Sequence, residues 1–343
     1  MKPMFLHIRN TSCPIFLDAS LQRLRTLLAG RRVVLITDEN VAAKHGKRLP
    51  KNVPLIILTA GEKQKNLATV ACIYGQLLKH KADRRTFILG VGGGVVCDIS
   101  GYAAATYMRG LDFGLLPTTL LAQTDAAIGG KNGVNFRGYK NIVGLIRQPD
   151  FVLCDSSFLA TLPKKEILCG LAEVVKHAAI ASPALFRFLE NQSEKILQLH
   201  PATMAKVMAM SLPIKLAIVE KDEQEIGERK KLNFGHTLGH ALEKAVFVSH
   251  GEAVAAGMCF AGRLSQRYAG FKASEHERLL SLLRALHLPL QVAADKKKVK
   301  AAIGHDKKRN AGAIDFVMLE RIGKARMVSL PLAELKEAID DLC

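Results

Sequence analysis

The sequence predicts two domains: an α/β domain with a parallel sheet at residues 1–162 and an all-α domain at residues 163–343. Two observations lead to this prediction. Short apolar runs alternate with helix-like segments in the first half of the chain, and long stretches of helical period replace them after Pro163. The length of 343 residues also suits two domains with a cleft between them.

The apolar runs of the first half have the length and composition of buried strands. They cover residues 33–36, 55–58, 87–91 and 152–154. The segment 67–80 is helix-like and lies between two of these runs, and this alternation predicts βαβ units. Ligands usually bind where parallel strands end, so the loops after these runs are candidate binding segments.

The second half is predicted to be helical. Stretches of helical period cover residues 170–180, 202–219, 237–246 and 252–268. The boundary is placed after Leu162, because Pro163 is followed by Lys164 and Lys165, and a proline followed by charged residues commonly begins a new element.

The composition is that of a folded globular protein, with 49% hydrophobic and 23% charged residues. No uninterrupted apolar run reaches the roughly 18 residues that a membrane span needs, and the N-terminus does not resemble a signal peptide, so we expect a cytoplasmic protein. The seven cysteines include no C-x-x-C pair, which indicates reduced thiols rather than a disulfide or zinc framework.

The formal net charge of +18 is compatible with three kinds of partner: nucleic acid, an anionic membrane surface or an acidic small substrate. The basic residues are spread along the chain, only 6% of residues are aromatic, and Trp is absent. This pattern favours a solvated basic surface over a nucleic-acid interface. We therefore expect neither nucleic acid nor a membrane as a partner.

A glycine cluster, Gly90 to Gly94, follows the apolar residues 87–89 and precedes a helix-like segment. Its backbone could approach a pyrophosphate closely and donate N–H groups to it, which makes dinucleotide binding a hypothesis. The cluster is not the usual G-x-G-x-x-G, and a tight turn is the alternative interpretation.

Two other segments at strand ends offer charged groups. Asp38 follows the run at 33–36 and could bind a ribose hydroxyl, or it could serve as the N-cap of the next helix. Glu62 and Lys65 follow the run at 55–58 and could face a ligand at the same sheet edge, or they could belong to a surface turn. Further along, Lys131 stands between glycines and is a candidate fixed cation, with a structural loop as the alternative.

Candidate metal ligands lie in the helical half. Glu173 precedes Lys176 and His177 on one helix face, and His236, His240 and His250 follow later in the chain. One carboxylate and two imidazoles would hold Zn²⁺ with an open position for a substrate oxygen. Spacing alone nominates His236 with His240, because histidines four residues apart share a helix face. A polar helix face without metal is the alternative.

Taken together, the motifs are ordered along the chain and resemble those of 3-dehydroquinate synthases, which belong to the sugar-phosphate cyclase superfamily. They stand at residues 92–98, 109–110, 117–123, 129–131, 140–141, 173–176 and 232–240. The resemblance extends over roughly residues 35–325. It implies a Rossmann-like NAD-binding domain, a helical metal- and substrate-binding domain, and an active site in the cleft between them.

The resemblance also implies residue roles. The residues expected to contact NAD are Asp38, Asn40, Glu62, Lys65, Gly93, Gly94, Asp98, Thr118, Thr119, Lys131, Lys140, Thr161 and Leu162. The expected ligands of a divalent metal, zinc or alternatively cobalt, are Glu173, His236 and His250. On this assignment His240 is not a ligand but contacts the substrate phosphate.

The remaining implied contacts concern a sugar phosphate substrate. They are Asp125, Lys131, Asn141 and Lys176 on the hydroxyl and phosphate side, Asn233 and His240 at the phosphate, and Lys215 and Arg229 at the carboxylate. Arg109 would reach the phosphate from the partner subunit, which implies a homodimer. A further phosphate contact is expected at Lys307, with Lys308 as the alternative.

The implied activity is that of a lyase of aromatic amino-acid biosynthesis. It converts 3-deoxy-D-arabino-heptulosonate 7-phosphate to 3-dehydroquinate and phosphate by transient oxidation, phosphate elimination, re-reduction and aldol closure, with NAD as a catalyst. The alternatives are another sugar-phosphate cyclase or a metal-dependent polyol dehydrogenase. A basic nucleic-acid-binding protein is the alternative from a different class.

The chain departs from the family pattern at a few positions. Cys97 and Tyr139 stand where glycine is usual, and Ala126 and Ala127 replace a pair of serines. None of these changes removes a group with an expected chemical role.

Overall fold

The chain forms two compact units, residues 1–162 (unit 1) and 163–343 (unit 2). The computed structural model describes residues 3–8, 11–17, 21–304, 309–310 and 313–340. Unit 1 is an α/β domain with a largely parallel sheet, and unit 2 is mainly helical, so the predicted fold class is confirmed apart from a small sheet in unit 2.

Unit 1 contains a seven-stranded sheet, a two-stranded hairpin and several helices. Its strands are β1 (Met4–Ile8), β2 (Thr11–Leu17), β3 (Arg32–Asp38), β4 (Leu55–Leu58), β5 (Thr86–Gly92), β6 (Phe113–Pro117), β7 (Lys131–Phe136), β8 (Tyr139–Ile146) and β9 (Phe151–Cys154). Its α-helices are α1 (Leu21–Leu28), α2 (Glu39–His45), α3 (Leu67–Lys79) and α4 (Gly94–Thr106). Each of the predicted apolar runs lies within a strand.

The large sheet has the strand order β1-β2-β9-β6-β5-β3-β4. β1 and β2 pair antiparallel, whereas the other neighbours pair in parallel. β5 lies inside the sheet between β3 and β6, and all of its residues are buried. Because the six strands of this sheet other than β1 run in parallel, the loops after β3, β4, β5 and β6 emerge at the same sheet edge. Most of the predicted cofactor contacts of unit 1 lie in or next to these loops.

Unit 2 is built mainly from helices. They are α5 (Lys164–Ala181), α6 (Pro183–Leu197), α7 (Pro201–Lys221), α8 (His236–Ala245), α9 (His250–Tyr268), α10 (Ala273–Ala285), α11 (Lys296–Gly304) and α12 (Leu332–Asp340). All four predicted helical stretches overlap helices of this set.

The expectation that this domain is all-α needs one correction. Unit 2 also contains a three-stranded antiparallel sheet formed by β10 (Arg309–Asn310), β11 (Ala313–Arg321) and β12 (Lys324–Pro331). β11 packs on α9, and the ring of Phe316 meets that of Phe260 edge-on at a centroid distance of 6.2 Å. The strand therefore covers one face of the helix that begins with His250.

One described helix, α7, is long and apolar enough to cross a membrane by length and composition alone. Half of its most apolar window is buried inside the protein, and the helix carries the buried polar residues Ser211 and Lys215. Core helices of globular proteins share these properties, so α7 is weak evidence for a membrane span.

Candidate active site

The glycine cluster of unit 1 forms a tight turn between β5 and α4. A Cβ atom at Gly92 would lie 2.5 Å from Cβ of Val96, and one at Gly93 would lie 3.0 Å from Cγ2 of Thr119. Thr118 holds the neighbouring segment in place, because its N–H donates to the Gly92 carbonyl at 2.9 Å. The turn thus leads into the N-terminus of α4, where backbone N–H groups and the helix dipole favour an anion such as a pyrophosphate.

Cys97, one of the departures from the family pattern, lies in the first turn of α4. Its buried thiol donates to the Gly92 carbonyl at 3.6 Å. Burial raises the pKa of this thiol, so it remains protonated. The cysteine side chain therefore adds a hydrogen bond to the turn.

A polar network brings several predicted ligand contacts of unit 1 together. The buried Lys65 forms an ion pair with Asp98 and donates to Oδ1 of Asn141 at 2.6 Å. Asn135 joins Asn141 to Glu62, because it accepts from the Asn141 N–H at 2.9 Å and donates to Glu62 at 2.7 Å. Burial raises the pKa of Asp98, although the Lys65 ammonium acts in the opposite direction. The sequence analysis did not single out Asn135.

Asp38 acts as the N-cap of α2, since its carboxylate accepts from the Val41 N–H at 2.9 Å. The structure therefore gives this residue the role that the sequence analysis named as the alternative to ribose binding. Asn40, the next predicted NAD contact, is exposed on the first turn of the same helix. The cap fixes where α2 begins and thereby where both side chains stand.

Thr161 and Leu162, two further predicted NAD contacts, lie in the segment that follows β9. The Thr161 hydroxyl lies 2.7 Å from Nε2 of His45, and the Lys44 ammonium donates to the Thr161 carbonyl at 3.0 Å. Burial lowers the pKa of His45, and the neighbouring Arg48 and Lys44 lower it further. The sequence analysis did not single out His45, because a lone histidine near the end of a helix carries no signal for its contact with Thr161.

Four further predicted residues of unit 1 lie in the part of the chain that follows β6. Thr119 accepts from the Ala122 N–H at 3.1 Å, and Asp125 lies in a π-helical segment, residues 122–126. Lys131 is exposed at the start of β7, and Lys140 is exposed on β8. Their roles toward NAD and the substrate remain predictions.

Arg109 stands on a strained turn after α4. Met108, Arg109 and Gly110 have successive positive φ angles of 49°, 71° and 126°. Two consecutive non-glycine residues in the left-handed region are costly, at about 1–3 kcal/mol each, and such strain often accompanies function. The turn presents Arg109 at the surface of unit 1, where its side chain is exposed.

The candidate metal centre lies in unit 2, where α5, α8 and α9 each contribute one side chain. Oε1 of Glu173 lies 3.4 Å from Nε2 of His236 and 3.4 Å from Nε2 of His250. The ligand atoms all lie within 4.8 Å of one another. Glu173 is 1% exposed, and its Oε1 accepts no hydrogen bond from any residue that the structure describes. A buried carboxylate oxygen facing two imidazole nitrogens fits a divalent cation such as Zn²⁺.

Each histidine ring has a second contact at Nδ1, the ring nitrogen that does not face Glu173. Nδ1 of His236 lies 3.2 Å from the Phe234 carbonyl, and Nδ1 of His250 lies 3.3 Å from Oε1 of Glu243. Burial holds the pKa of His236 well below its usual value, and the Lys176 ammonium lowers it further. Burial also acts to lower the pKa of His250, but the nearby carboxylates of Glu173 and Glu243 outweigh it and raise the pKa to about 9.

The geometry favours His250 as the partner of His236, rather than His240, which spacing alone nominated. The His240 ring lies edge-on to that of His236 at a centroid distance of 5.3 Å, but His240 is not part of the group that converges on Glu173. His250 takes that place from the start of α9. The ligand set implied by the family resemblance is therefore one that the structure brings together, and its metal role remains a prediction.

Glycines allow these helices to approach closely. A Cβ atom at Gly257 would lie 1.9 Å from the Gly235 carbonyl oxygen, which joins α9 to the start of α8. A Cβ atom at Gly251 would lie 2.4 Å from Cα of Cys169, which joins α9 to α5. The positions of the three candidate ligands thus depend on backbone contacts that only glycine permits.

The predicted substrate contacts of unit 2 are unusually buried for charged residues. Lys176 is 2% exposed and forms an ion pair with Glu173, Arg229 is 2% exposed, and Lys215 is also buried. Arg229 donates to the Glu223 carbonyl at 2.7 Å. Buried cations are costly unless they have anionic or polar partners, so such positions often mark sites for anionic ligands. Lys307 and Lys308 lie outside the described residues.

The loop that carries Arg229 and Asn233 is fixed by two carboxylates. Asp222 accepts from the N–H groups of Gly227 and Arg229 at 2.7 and 3.0 Å. Burial acts to raise the pKa of Asp222, but the backbone hydrogen bonds outweigh it and lower the pKa. Asn233 donates to Oε1 of Glu225 at 2.7 Å. The sequence analysis singled out neither acid, although both lie within this charged loop.

Two family models match consecutive parts of the chain. The model described as 3-dehydroquinate synthase N-terminal matches residues 55–169, and the model described as 3-dehydroquinate synthase C-terminal matches residues 170–309. Among curated relatives, the 3-dehydroquinate synthase of Dehalococcoides mccartyi (strain CBDB1) is 45% identical over 312 residues. This alignment covers 88% of the chain and 87% of the relative.

Solved structures show the same fold. A 2-epi-5-epi-valiolone synthase from Streptomyces hygroscopicus subsp. jinggangensis 5008, with NAD⁺ and Zn²⁺ bound, matches with a TM-score of 0.88 and 27% identity over 98% of each chain. A 2-deoxy-scyllo-inosose synthase complexed with carbaglucose-6-phosphate, NAD⁺ and Co²⁺ matches with a TM-score of 0.89 and 24% identity. That alignment covers 99% of this chain and 100% of the other, and at this identity it shows the fold alone.

Proposed function

Because the chain belongs to the 3-dehydroquinate synthase family, we propose that it converts 3-deoxy-D-arabino-heptulosonate 7-phosphate to 3-dehydroquinate and inorganic phosphate. The chain is an enzyme of this lyase type. The observation that carries the proposal is the match of both family models over residues 55–309, which include the glycine turn and the Glu173, His236 and His250 group.

NAD and a divalent metal are the cofactors of this proposal. The turn at Gly92 to Gly94 and the Lys65, Asp98 and Asn141 network would hold NAD on unit 1. Glu173, His236 and His250 would hold Zn²⁺, or alternatively Co²⁺, on unit 2. The valiolone synthase, which has NAD⁺ and Zn²⁺ bound, supports this pair of cofactors. The predicted location of the active site in the cleft between the domains remains a prediction.

The chemical difficulty is to eliminate phosphate next to a carbon whose C–H bond is not acidic. When bound, NAD would accept a hydride from a hydroxyl-bearing carbon of the substrate and later return it, and the metal would polarise the oxygen on that carbon. The transient ketone acidifies the neighbouring proton, which allows phosphate to leave. The later re-reduction and aldol closure leave NAD unchanged overall.

The residues of the chain would bind and orient the two charged ends of the substrate. Lys215 and Arg229 would pair with the carboxylate, for which their burial strengthens the attraction. Lys131, Asn233 and His240 would hold the departing phosphate, together with the partner subunit's Arg109 and the predicted Lys307. Asp125, Asn141 and Lys176 would contact the hydroxyl groups.

The partners in this proposal are a small sugar phosphate and a second copy of the chain. A homodimer follows from the role proposed for Arg109, and the proposed location is the cytoplasm, as expected from the sequence. Nucleic acid and membranes are not proposed as partners.

The reaction is tested by supplying the metal-loaded protein with the heptulosonate phosphate and a trace of NAD. We expect many molecules of dehydroquinate and phosphate per molecule of NAD, and loss of turnover when a chelator removes the metal. A polyol dehydrogenase would instead accumulate NADH with polyol substrates and release no phosphate. That result would overturn the proposal.

A further inference from the structure

Glu243 is an acidic residue of α8 that the proposed reaction does not use. It stands seven residues after His236, two helical turns along the same face. Its Oε1 lies 3.3 Å from Nδ1 of His250, and its side chain is only 7% exposed. A carboxylate therefore lies directly behind one of the candidate metal ligands.

The two candidate histidine ligands are held in different ways. The backbone carbonyl of Phe234 faces Nδ1 of His236, whose side chain is 11% exposed. His250 is the first residue of α9, and its side chain is 30% exposed. Packing therefore restricts the His250 ring less than it restricts the His236 ring.

The capping box at the start of α9 does not restrain the His250 ring. The Ser249 hydroxyl accepts from the Glu252 N–H at 3.4 Å, and the Glu252 carboxylate accepts from the Ser249 N–H at 2.9 Å. These bonds fix the backbone of His250, but they do not contact its imidazole ring. The carboxylates that contact the ring are those of Glu173 and Glu243.

We propose that Glu243 is a positioning residue that orients the His250 imidazole for metal binding. It accepts a hydrogen bond from the Nδ1–H group, which leaves Nε2 as the only ring nitrogen available to face Glu173 Oε1. A carboxylate behind a ligating histidine fixes the tautomer and the ring orientation and raises the basicity of the ligating nitrogen. This inference rests on the metal site of the proposed function.

The geometry also distinguishes this role from simple surface pairing. An ion pair on an exposed helix face contributes little, because water screens both groups. Glu243 is nearly buried, and the imidazole that it contacts points its opposite nitrogen at a buried carboxylate. Loss of the Glu243 carboxylate should therefore weaken the binding of a metal more than it weakens the fold.

The test compares Glu243→Ala, Glu243→Gln and the control Lys244→Ala, which changes the exposed next residue of the same helix. Zn²⁺ affinity is measured by competition with a chromophoric chelator, and the visible spectrum is recorded with Co²⁺. We expect Glu243→Ala to weaken Zn²⁺ binding by roughly 10–100-fold and to alter the Co²⁺ spectrum. Glu243→Gln should retain most of the affinity, because its amide oxygen can still accept from Nδ1–H, and Lys244→Ala should resemble the wild type.

Thermal unfolding of the metal-free proteins separates positioning from a general loss of structure. The metal-free Glu243→Ala variant should melt close to the metal-free wild type while its metal affinity is reduced. Wild-type metal affinity in Glu243→Ala, or a reduced affinity that only accompanies a lower melting temperature without metal, would overturn the role of Glu243. If the wild type itself binds neither Zn²⁺ nor Co²⁺, the proposed metal centre fails, and this inference fails with it.

Discussion

At the scale of single residues, the two histidines whose rings lie near that of His236 have different expected functions. His250 faces Glu173 at 3.4 Å, whereas His240 lies outside that group and is proposed to contact the phosphate. His250→Ala should therefore lose bound metal and lower turnover by at least ~100-fold, since even changes behind a ligand cost 10–100-fold. His240→Ala should keep its metal and lose turnover. Metal content after gel filtration, measured beside the rate of phosphate release, checks both expectations.

The His240→Ala variant is the matched control for this comparison, because it also removes one imidazole ring from the histidine cluster. Loss of metal from His240→Ala together with retention by His250→Ala would show that the ligand set is wrong. It would then favour the pair that spacing alone nominates, His236 with His240.

The cluster also shows which site residues a sequence can and cannot reveal. Periodicity places His236 and His240 on one helix face, but it carries no information about a ring that comes from the start of another helix. The family resemblance implied His250 as a ligand, and the structure shows its approach to Glu173. Glu243 and Asn135 remained unnoticed because their importance comes from tertiary contacts to other predicted residues.

At the scale of helices, the candidate metal centre depends on the close approach of α8 and α9. Gly257→Ala would place a Cβ atom 1.9 Å from the Gly235 carbonyl oxygen, so the two helices must separate. We expect a loss of stability of about 1–3 kcal/mol or more, as for other overpacked cores, together with weaker metal binding. Urea unfolding and chelator competition measure the two effects.

Gly75→Ala is the control for this substitution. Gly75 lies within α3, and a Cβ atom there would meet nothing within 4 Å. Alanine in a helix interior is favoured over glycine by about 0.5–1 kcal/mol, so this variant should be as stable as the wild type or slightly more stable. If Gly257→Ala and Gly75→Ala had the same stability and the same metal affinity, the close contact at Gly257 would not be what holds α8 and α9 together.

The elements that the sequence predicted well are those with strong local signals. The runs at 33–36 and 55–58 are short, apolar and rich in β-branched residues, and both are strands. The segment 313–321 was missed, because an apolar run such as Phe316 to Leu319 suits a helix or a strand equally well. The β7–β8 hairpin was missed because its first strand is short and polar and contains Gly133.

At the scale of the whole molecule, the proposed homodimer gives Arg109 a role that one chain cannot fulfil by itself. The residue is exposed on a turn with three successive positive φ angles, and such strain persists only where the surrounding structure enforces it. In a symmetric dimer each subunit would present this turn to the other, so each active site would combine residues from two chains. An arginine suits this task because its guanidinium binds phosphate in a bidentate way.

Subunit mixing tests this arrangement directly. Arg109→Ala and His250→Ala should each be inactive alone, but a mixed dimer would contain one complete site, formed by the metal-binding subunit and the partner subunit's Arg109. After dissociation and reassociation of equal amounts, we expect about one quarter of the wild-type rate, because about half of the dimers are mixed and each has one complete site. Mixing His250→Ala with His240→Ala is the control and should restore nothing, since both residues belong to the same unit 2 site. If the first mixture also remains inactive while mixed dimers form, Arg109 acts within its own chain, and the shared active site must be abandoned.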